Sequence, residues 1–119
     1  MHTQVFEWDS IVAEATKTGA KRPLFRGPTA TLGRMSCHVT MLNPGEKAHE
    51  PHRPPEEEMI IVKEGTLEAL VERTTRTMGA GSVFFIAPDD LHGVRNVGAG
   101  PASYYVIKWW TEAMVADSK

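Results

Sequence analysis

The sequence predicts an all-β protein. From Ala30 onward, short runs rich in Val, Ile, Phe, Tyr and Thr are separated by Gly, Pro, Asn and Asp at intervals of about ten residues. Some runs alternate apolar and polar residues, as with Leu67, Ala69 and Val71, whereas residues 83–87 are apolar throughout. A sandwich or a closed barrel satisfies both patterns, since each has strands with one or two buried faces.

The chain length predicts one domain. With 119 residues, the chain can close one hydrophobic core but not two. Because the strand-like pattern begins at Ala30, we divide the chain into an irregular N-terminal arm, residues 1–29, which packs on a barrel formed by residues 30–119.

Helical periodicity is scarce. Residues 8–18 place Ile11, Val12 and Ala15 at helical spacing, and Gly19 ends the pattern. We therefore expect one short helix or turn in this part of the arm. The remaining runs are predicted strands, bounded by turn residues, at 31–42, 58–63, 66–72, 75–78, 82–87, 92–96 and 102–110.

Charge and composition exclude several classes of partner. The net charge is −2, and Lys and Arg are scattered, so the electrostatic signature of a nucleic-acid-binding protein is missing. No apolar run approaches the roughly 20 residues that span a bilayer, and the first ten residues do not resemble a signal peptide. We expect no nucleic-acid or membrane partner and a cytoplasmic location. The lone Cys37 cannot form an internal disulfide and is expected to be a small buried residue.

Two histidine-bearing stretches flank the central predicted hairpins. The first reads HEPHRPPEEE, and the second ends in His92 and Asn96. Imidazole and carboxylate groups suit a divalent metal such as Mn, Fe, Ni, Zn or Cu, and no thiolate biases the site toward a structural zinc. A polar, solvated loop is the alternative interpretation of the first stretch.

The spacing in these stretches resembles the two signature motifs of the cupin superfamily. The first stretch reads G-x6-H-R-P-P-E-E-E-x6-G, starting at Gly45, and the second reads G-x6-P-x3-H-x3-N, starting at Gly81. The resemblance covers roughly residues 42–96. It implies a single cupin barrel, a double-stranded β-helix or jelly roll, with a divalent metal in its lumen.

The resemblance also implies the site residues. His52 matches the first histidine of the family's H-x-H pair, Glu58 its glutamate and His92 the histidine of the second motif. Pro54 stands where the family has its second histidine, and proline cannot bind a metal. His49 is expected to replace that ligand. Without it, the site would be an open two-histidine, one-carboxylate triad.

Other polar and aromatic residues receive structural interpretations. Glu56 and Glu57 are expected to be surface charges. His38 is expected to be structural, with a lumen-facing role as its alternative. Trp109 and Trp110 are adjacent in a predicted strand and must point to opposite faces, so one lies outside the barrel. That outer face predicts a homodimer.

The predicted function is that of a small metal-binding cupin. An enzyme acting on a polar small molecule is the first hypothesis, with isomerase, lyase or dioxygenase chemistry at the metal and His49 as a candidate base if it is not a ligand. The alternative is a non-catalytic cupin that binds or senses a small ligand, with or without metal. Because one fold serves all these reactions, the fold cannot choose among them.

Overall fold

The structure, a computed structural model, describes residues 1–117 and confirms the all-β prediction. A 3₁₀ turn, Trp8–Ser10, precedes the first strand, and a short helix, α1, Glu112–Asp117, follows the last. The described strands are β1 Glu14–Ala15, β2 Gly19–Gly27, β3 Arg34–Leu42, β4 Glu57–Glu64, β5 Leu67–Val71, β6 Thr74–Met78, β7 Val83–Ile86, β8 His92–Asn96 and β9 Ala102–Trp110.

The strands form two antiparallel sheets with jelly-roll topology. One sheet has six strands in the order β1-β2-β3-β9-β4-β7, and the other has three in the order β6-β5-β8. Strand β9, the last in sequence, pairs with both β3 and β4 at the centre of the larger sheet. The consecutive strands β3 and β4 are thus separated by β9, as non-local jelly-roll connections require.

The hydrophobic core lies between the two sheets. Period-two alternation in β4 buries Ile60 and Val62, and these pack with Leu67, Ile86 and Tyr104 from other strands. Each large apolar side chain buried in this way stabilises the fold by about 1.5–3 kcal/mol. The core therefore determines which residues of β3, β4 and β9 point inward, including the polar residues His38, Glu58 and Lys108.

The N-terminal arm is not irregular throughout. Within residues 1–29, β2 forms nine residues of strand that pair with β3, with a register shift between Pro23 and Phe25. Proline lacks a backbone donor, and β1 pairs only with Ala20 and Lys21 of β2, so Pro23 lies where one edge of β2 has no strand partner in the described residues. The predicted helix or turn at residues 8–18 is confined to the 3₁₀ turn.

Several boundaries match the prediction and some do not. Strands β8 and β9 have the predicted limits, whereas β3 begins at Arg34, three residues later than expected. Helix α1 was not predicted. Among residues 1–117, no helix is long and apolar enough to cross a bilayer.

The glycine that ends the first motif has a structural requirement. Gly65 has a φ of +85°, a conformation that side chains other than glycine rarely adopt. A Cβ atom at Gly65 would lie 2.6 Å from Cα of Ala102, at the start of β9. Glycine at this position therefore permits both the turn into β5 and the close approach of β9.

Candidate metal centre

Three of the four predicted metal ligands come together in the structure. One ligand atom from each of His52, Glu58 and His92 lies within 4.8 Å of the others. Glu58 belongs to β4, and His92 is the first residue of β8. His52 lies in the loop between β3 and β4. His52 and His92 form an isolated antiparallel bridge, so the loop that carries His52 is fixed against β8.

The proline that replaces a family histidine has a backbone role. The carbonyl of Pro54 accepts a hydrogen bond of 2.9 Å from the amide of Asp89. Asp89 has a φ of +66°, in the turn that leads to His92. Pro54 therefore supplies no ligand, but its carbonyl helps to hold the turn that positions one.

His92 has its ring orientation fixed by the backbone. Its Nδ1 lies 3.3 Å from the carbonyl oxygen of Asp90, which can only accept, so Nδ1 carries the proton and Nε2 is left with its lone pair. That Nε2 lies 3.6 Å from Oε1 of Glu58, too long for a hydrogen bond. Burial would lower the pKa of His92, but the Glu58 carboxylate and the Asp90 carbonyl together raise it above its ordinary value.

The pKa values of Glu58 and His52 are both lowered, but for different reasons. Burial would raise the pKa of Glu58, but His92 and Lys108 outweigh it and hold the pKa below the ordinary value. Nζ of Lys108 lies 3.7 Å from Oε1 of Glu58. Burial lowers the pKa of His52, and the neighbouring His49 and His92 lower it further. The lowered pKa values favour the Glu58 carboxylate and the neutral His52 imidazole, the forms that bind metal ions, whereas the raised pKa of His92 means that a metal ion competes with a proton there.

Unsatisfied ligand atoms show that the group fits a metal ion. Nε2 of His52 and Oε1 of Glu58 are buried and have no hydrogen-bond partner within residues 1–117. Buried polar atoms without partners are rare in folded proteins, because each costs about 1–3 kcal/mol. Both atoms belong to the residues that converge with His92, so a divalent cation would satisfy them together.

His49 lies beside this group but is not part of it. Its ring centroid is 4.3 Å from that of His52, and its Nδ1 donates to the carbonyl oxygen of Glu50 at 2.9 Å. Nε2 of His49 is left with its lone pair. The residue is exposed, and its replacement of the ligand missing at Pro54 stays a prediction.

The group formed by His52, Glu58 and His92, the metal group, lies at one side of a cavity of about 310 Å³ between the sheets. Glu58, His92 and His49 line it together with His38, so the lumen-facing alternative for His38 is the one that the structure shows. Burial lowers the pKa of His38 to about 4, with help from Lys21 and Lys108, so its imidazole is neutral at pH 7. The rest of the wall combines apolar side chains of β4, β8 and β9 with lysines and threonines from β2, β3, β9 and the turn before β2.

Sequence reasoning missed two cations and one buried acid. Lys108 lines the cavity because it alternates with Val106 on the inner face of β9, a signal visible in the sequence. Lys21 also lines it, from β2, which the sequence did not predict as a strand. Glu56 is buried rather than a surface charge, and it lies in the bend immediately before β4.

The outer face of the larger sheet carries one of the two adjacent tryptophans. Nε1 of Trp109 donates a 2.9 Å hydrogen bond to the carboxylate of Glu57, and its ring centroid lies 6.3 Å from that of Phe85. Trp110 instead has the guanidinium groups of Arg26 and Arg34 over its ring. The two tryptophans thus have separate sets of neighbours, as alternation predicts.

A jelly roll with a His-Glu-His group in its lumen defines a class of small β-barrel proteins. The family model described as the cupin domain matches residues 38–108, and the chain belongs to this family. No curated protein gave a significant match to the chain.

Solved structures support the same fold at low sequence identity. An RmlC-like cupin from Shewanella frigidimarina has a TM-score of 0.74 and 16% identity, with 91% of each chain covered. The polyketide cyclase RemF from Streptomyces resistomycificus has a TM-score of 0.73 and 19% identity, covering 91% of this chain and 80% of that one. A Cupin 2 conserved barrel domain protein from Salinispora arenicola has a TM-score of 0.68 and 23% identity, covering 98% and 94%.

Proposed function

We propose that this protein binds a divalent metal through His52, Glu58 and His92 and acts as an enzyme on a small, oxygen-rich molecule held in the cavity. The observation that carries the proposal is the convergence of two buried, unsatisfied ligand atoms with the oriented imidazole of His92. A cavity of about 310 Å³ is at the small end of the range for ligand sites, so it suits a compact substrate.

The chain's own residues prepare the site for such chemistry. When bound, Mn, Fe, Ni, Zn or Cu would supply Lewis-acid or redox chemistry at a ligand oxygen. The Asp90 carbonyl holds the proton of His92 at Nδ1 and keeps Nε2 free for binding. Ile60 and Val106 give part of the cavity an apolar wall, which strengthens the attraction between charged groups inside it.

The reaction class stays open among isomerisation, decarboxylation and oxygen-dependent cleavage. RemF is a polyketide cyclase, and its likeness to this chain supports an enzymatic role for the fold without selecting a reaction. Neutral His38 lines the cavity and can accept or donate a proton, so the lumen contains an acid–base group besides the proposed ligands.

A non-catalytic cupin that binds or senses a small ligand is the second candidate. The specific observation that favours it is Pro54, which leaves three converging ligands where the family motif provides four. The cavity and its charged lining serve a binding protein equally well. Turnover of any bound compound would exclude this candidate, whereas saturable binding without conversion would support it.

Metal content tests the proposal directly. The purified, untagged protein is stripped with a chelator and titrated with Mn²⁺, Fe²⁺, Ni²⁺, Zn²⁺ and Cu²⁺, with elemental analysis after dialysis. We expect about one equivalent of at least one metal, together with a rise in melting temperature, because a ligand bound only to the native state stabilises it. If no metal is retained by the wild-type protein, the proposal fails.

We further propose that the protein is a homodimer formed along the edge strand β7. Within the described residues β7 pairs only with β4, and its Val83 and Phe85 side chains are 59% and 53% exposed. Antiparallel pairing of β7 with the same strand of a second copy satisfies its free backbone groups and buries these side chains across a two-fold axis.

Sedimentation velocity at micromolar concentration tests the dimer. We expect the wild-type protein to sediment as a dimer and Phe85→Glu as a monomer. Val97→Glu is the control, because Val97 is also exposed but lies outside β7. A wild-type monomer, or a Phe85→Glu dimer, would contradict the proposal.

A further inference from the structure

Lys21 faces the cavity from β2, and its side chain has no hydrogen-bond or ion-pair partner in the described part of the chain, residues 1–117. Lys108, the other lysine in the lining, lies 3.7 Å from the Glu58 carboxylate and is thereby compensated. Glu14 of β1 lies opposite Lys21 in the register, but it is exposed and forms no ion pair with Lys21. The ammonium group therefore remains available to attract an anion into the half-enclosed cavity.

Hydroxyl groups surround this lysine. In the β2–β3 register Lys21 lies opposite Thr40, so the two side chains leave the sheet on the same face. Thr40 lines the cavity, and so do Thr16 and Thr18 from the turn that connects β1 with β2. The hydroxyls of Thr16 and Thr18 can each donate one hydrogen bond to an anionic oxygen, whereas the hydroxyl of Thr40 also interacts with the side chain of Tyr104.

The charge balance of the lining favours an anionic ligand. Two lysines and one carboxylate, Lys21, Lys108 and Glu58, give a formal charge of 2 − 1 = +1, and His38 adds none because burial and the two lysines lower its pKa to about 4. A divalent cation at the metal group would make the cavity more positive still. A neutral substrate would leave this charge uncompensated.

We propose that Lys21, with the hydroxyls of Thr16, Thr18 and Thr40, forms a subsite that binds the carboxylate or phosphate group of an acidic substrate. This inference rests on the proposed function only in that the rest of the substrate extends toward His52, Glu58 and His92. Lys21, Thr16 and Thr18 belong to the N-terminal arm, outside the cupin-domain match at residues 38–108, whereas Thr40 lies within the match. The charged part of the subsite is therefore outside the matched region.

The sheet register sets the length of the substrate. Lys21 lies opposite Thr40, whereas Glu58 lies opposite Lys108, which in turn lies opposite Ser36. Thr40 and Ser36 are four residues apart on β3, about 13 Å along the strand. The spacing of β2 and β4 across the sheet adds to this offset, so the anionic group of the substrate lies several bonds from its reacting oxygen.

Binding of simple anions tests the subsite. The full chain without added metal is titrated with succinate, inorganic phosphate and the neutral analogue succinamide, and ¹H–¹⁵N NMR follows the amides of Thr18, Lys21 and Thr40. We expect saturable shifts with succinate or phosphate and none with succinamide. Lys21→Met should weaken anion binding at least about tenfold, and Lys21→Arg should largely retain it.

Lys17→Met is the matched control, because Lys17 lies between two cavity-lining threonines but is itself exposed and outside the lining. It should bind anions within about twofold of wild type. The inference is overturned if neither anion shifts these amides saturably, or if Lys21→Met binds as wild type does. Metal titration of the same variants separates the two proposals. If the wild-type protein binds anions through Lys21 but takes up no metal, the proposed function is wrong and the anion subsite is supported.

Discussion

His52 and His92 exchange two backbone hydrogen bonds, from each amide to the other's carbonyl, at 3.1 and 3.0 Å. Their ring centroids lie 4.9 Å apart as a result. The bridge joins a loop to the first residue of β8, so the two sequence motifs are held together by the backbone before any metal binds. The alternation of side chains along β4 directs Glu58 to the same side of the sheet as these two histidines.

Removal of the carboxylate at position 58 should abolish metal binding. Glu58→Gln keeps the shape of the side chain but loses its charge, and we expect metal affinity to fall at least about a hundredfold. Competition with a chromophoric chelator measures the affinity. Glu57→Gln is the control, because Glu57 faces Trp109 on the other side of β4. Equal affinities for Glu58→Gln and wild type would rule out this carboxylate as a ligand.

Substitution of His49 should weaken the metal site without destroying it. The exposed ring must be ordered to bind, which costs side-chain entropy, so we expect His49→Gln to lower metal affinity about tenfold. His52→Gln, which removes a ligand with a buried Nε2, should cost at least about a hundredfold in the same assay. If His49→Gln binds metal as tightly as wild type, the site is the open triad.

Much of the fold could be predicted from local pattern. Strands β8 and β9 have the predicted limits because their alternation is bounded by Pro, Gly and Asp turns. Strand β2 could not be predicted, since Lys-Arg-Pro in its middle resembles a loop and only pairing with β3 makes it a strand. That pairing is non-local, so a single-sequence pattern does not reveal it.

In the candidate site, too, some residues could be predicted from local sequence and others could not. His52, Glu58 and His92 could be predicted because their spacing lies within two short motifs. Lys21 could not, because its direction follows from the unpredicted register of β2 against β3. The motif identifies the proposed ligands, whereas the tertiary register determines the charge that surrounds a substrate.

The asparagine that ends the second motif should be a major contributor to stability. The side chain of Asn96 is fully buried, and its Nδ2 donates to the carbonyls of Leu42 and Gly100 while its Oδ1 accepts from the amide of Gly98, each at 2.9 Å. Asn96→Ala leaves the buried Leu42 carbonyl unpaired and removes two part-buried hydrogen bonds, so we expect a loss of about 3 kcal/mol in the free energy of unfolding.

Urea denaturation measures this loss, and Asn43→Ala is the matched control. Asn43 is exposed, and its side chain makes no hydrogen bond within the described residues, so its substitution should change the unfolding free energy by less than about 0.5 kcal/mol. Similar losses for the two variants would show that the buried network of Asn96 does not stabilise the turn after β8.

Stability should decrease in mild acid because of His38. Burial, with Lys21 and Lys108, lowers its pKa from 6.5 to about 4, although Glu58 opposes the shift. Between these values the unfolded chain binds a proton that the folded protein does not, so this contribution is complete above pH 6.5 and is lost as the pH falls toward 4. With allowance for solvent screening, the loss should be on the order of 2 kcal/mol.

The measurement is the free energy of unfolding of the chelator-treated protein between pH 4 and 7, for wild type and His38→Gln. Other groups titrate in both proteins, so the difference between the two curves isolates His38. We expect that difference to shrink as the pH falls, because the wild type loses the contribution that His38→Gln never had. His2→Gln, at an exposed position, should follow the wild-type curve. Parallel curves for wild type and His38→Gln would show that His38 titrates alike in the folded and unfolded states.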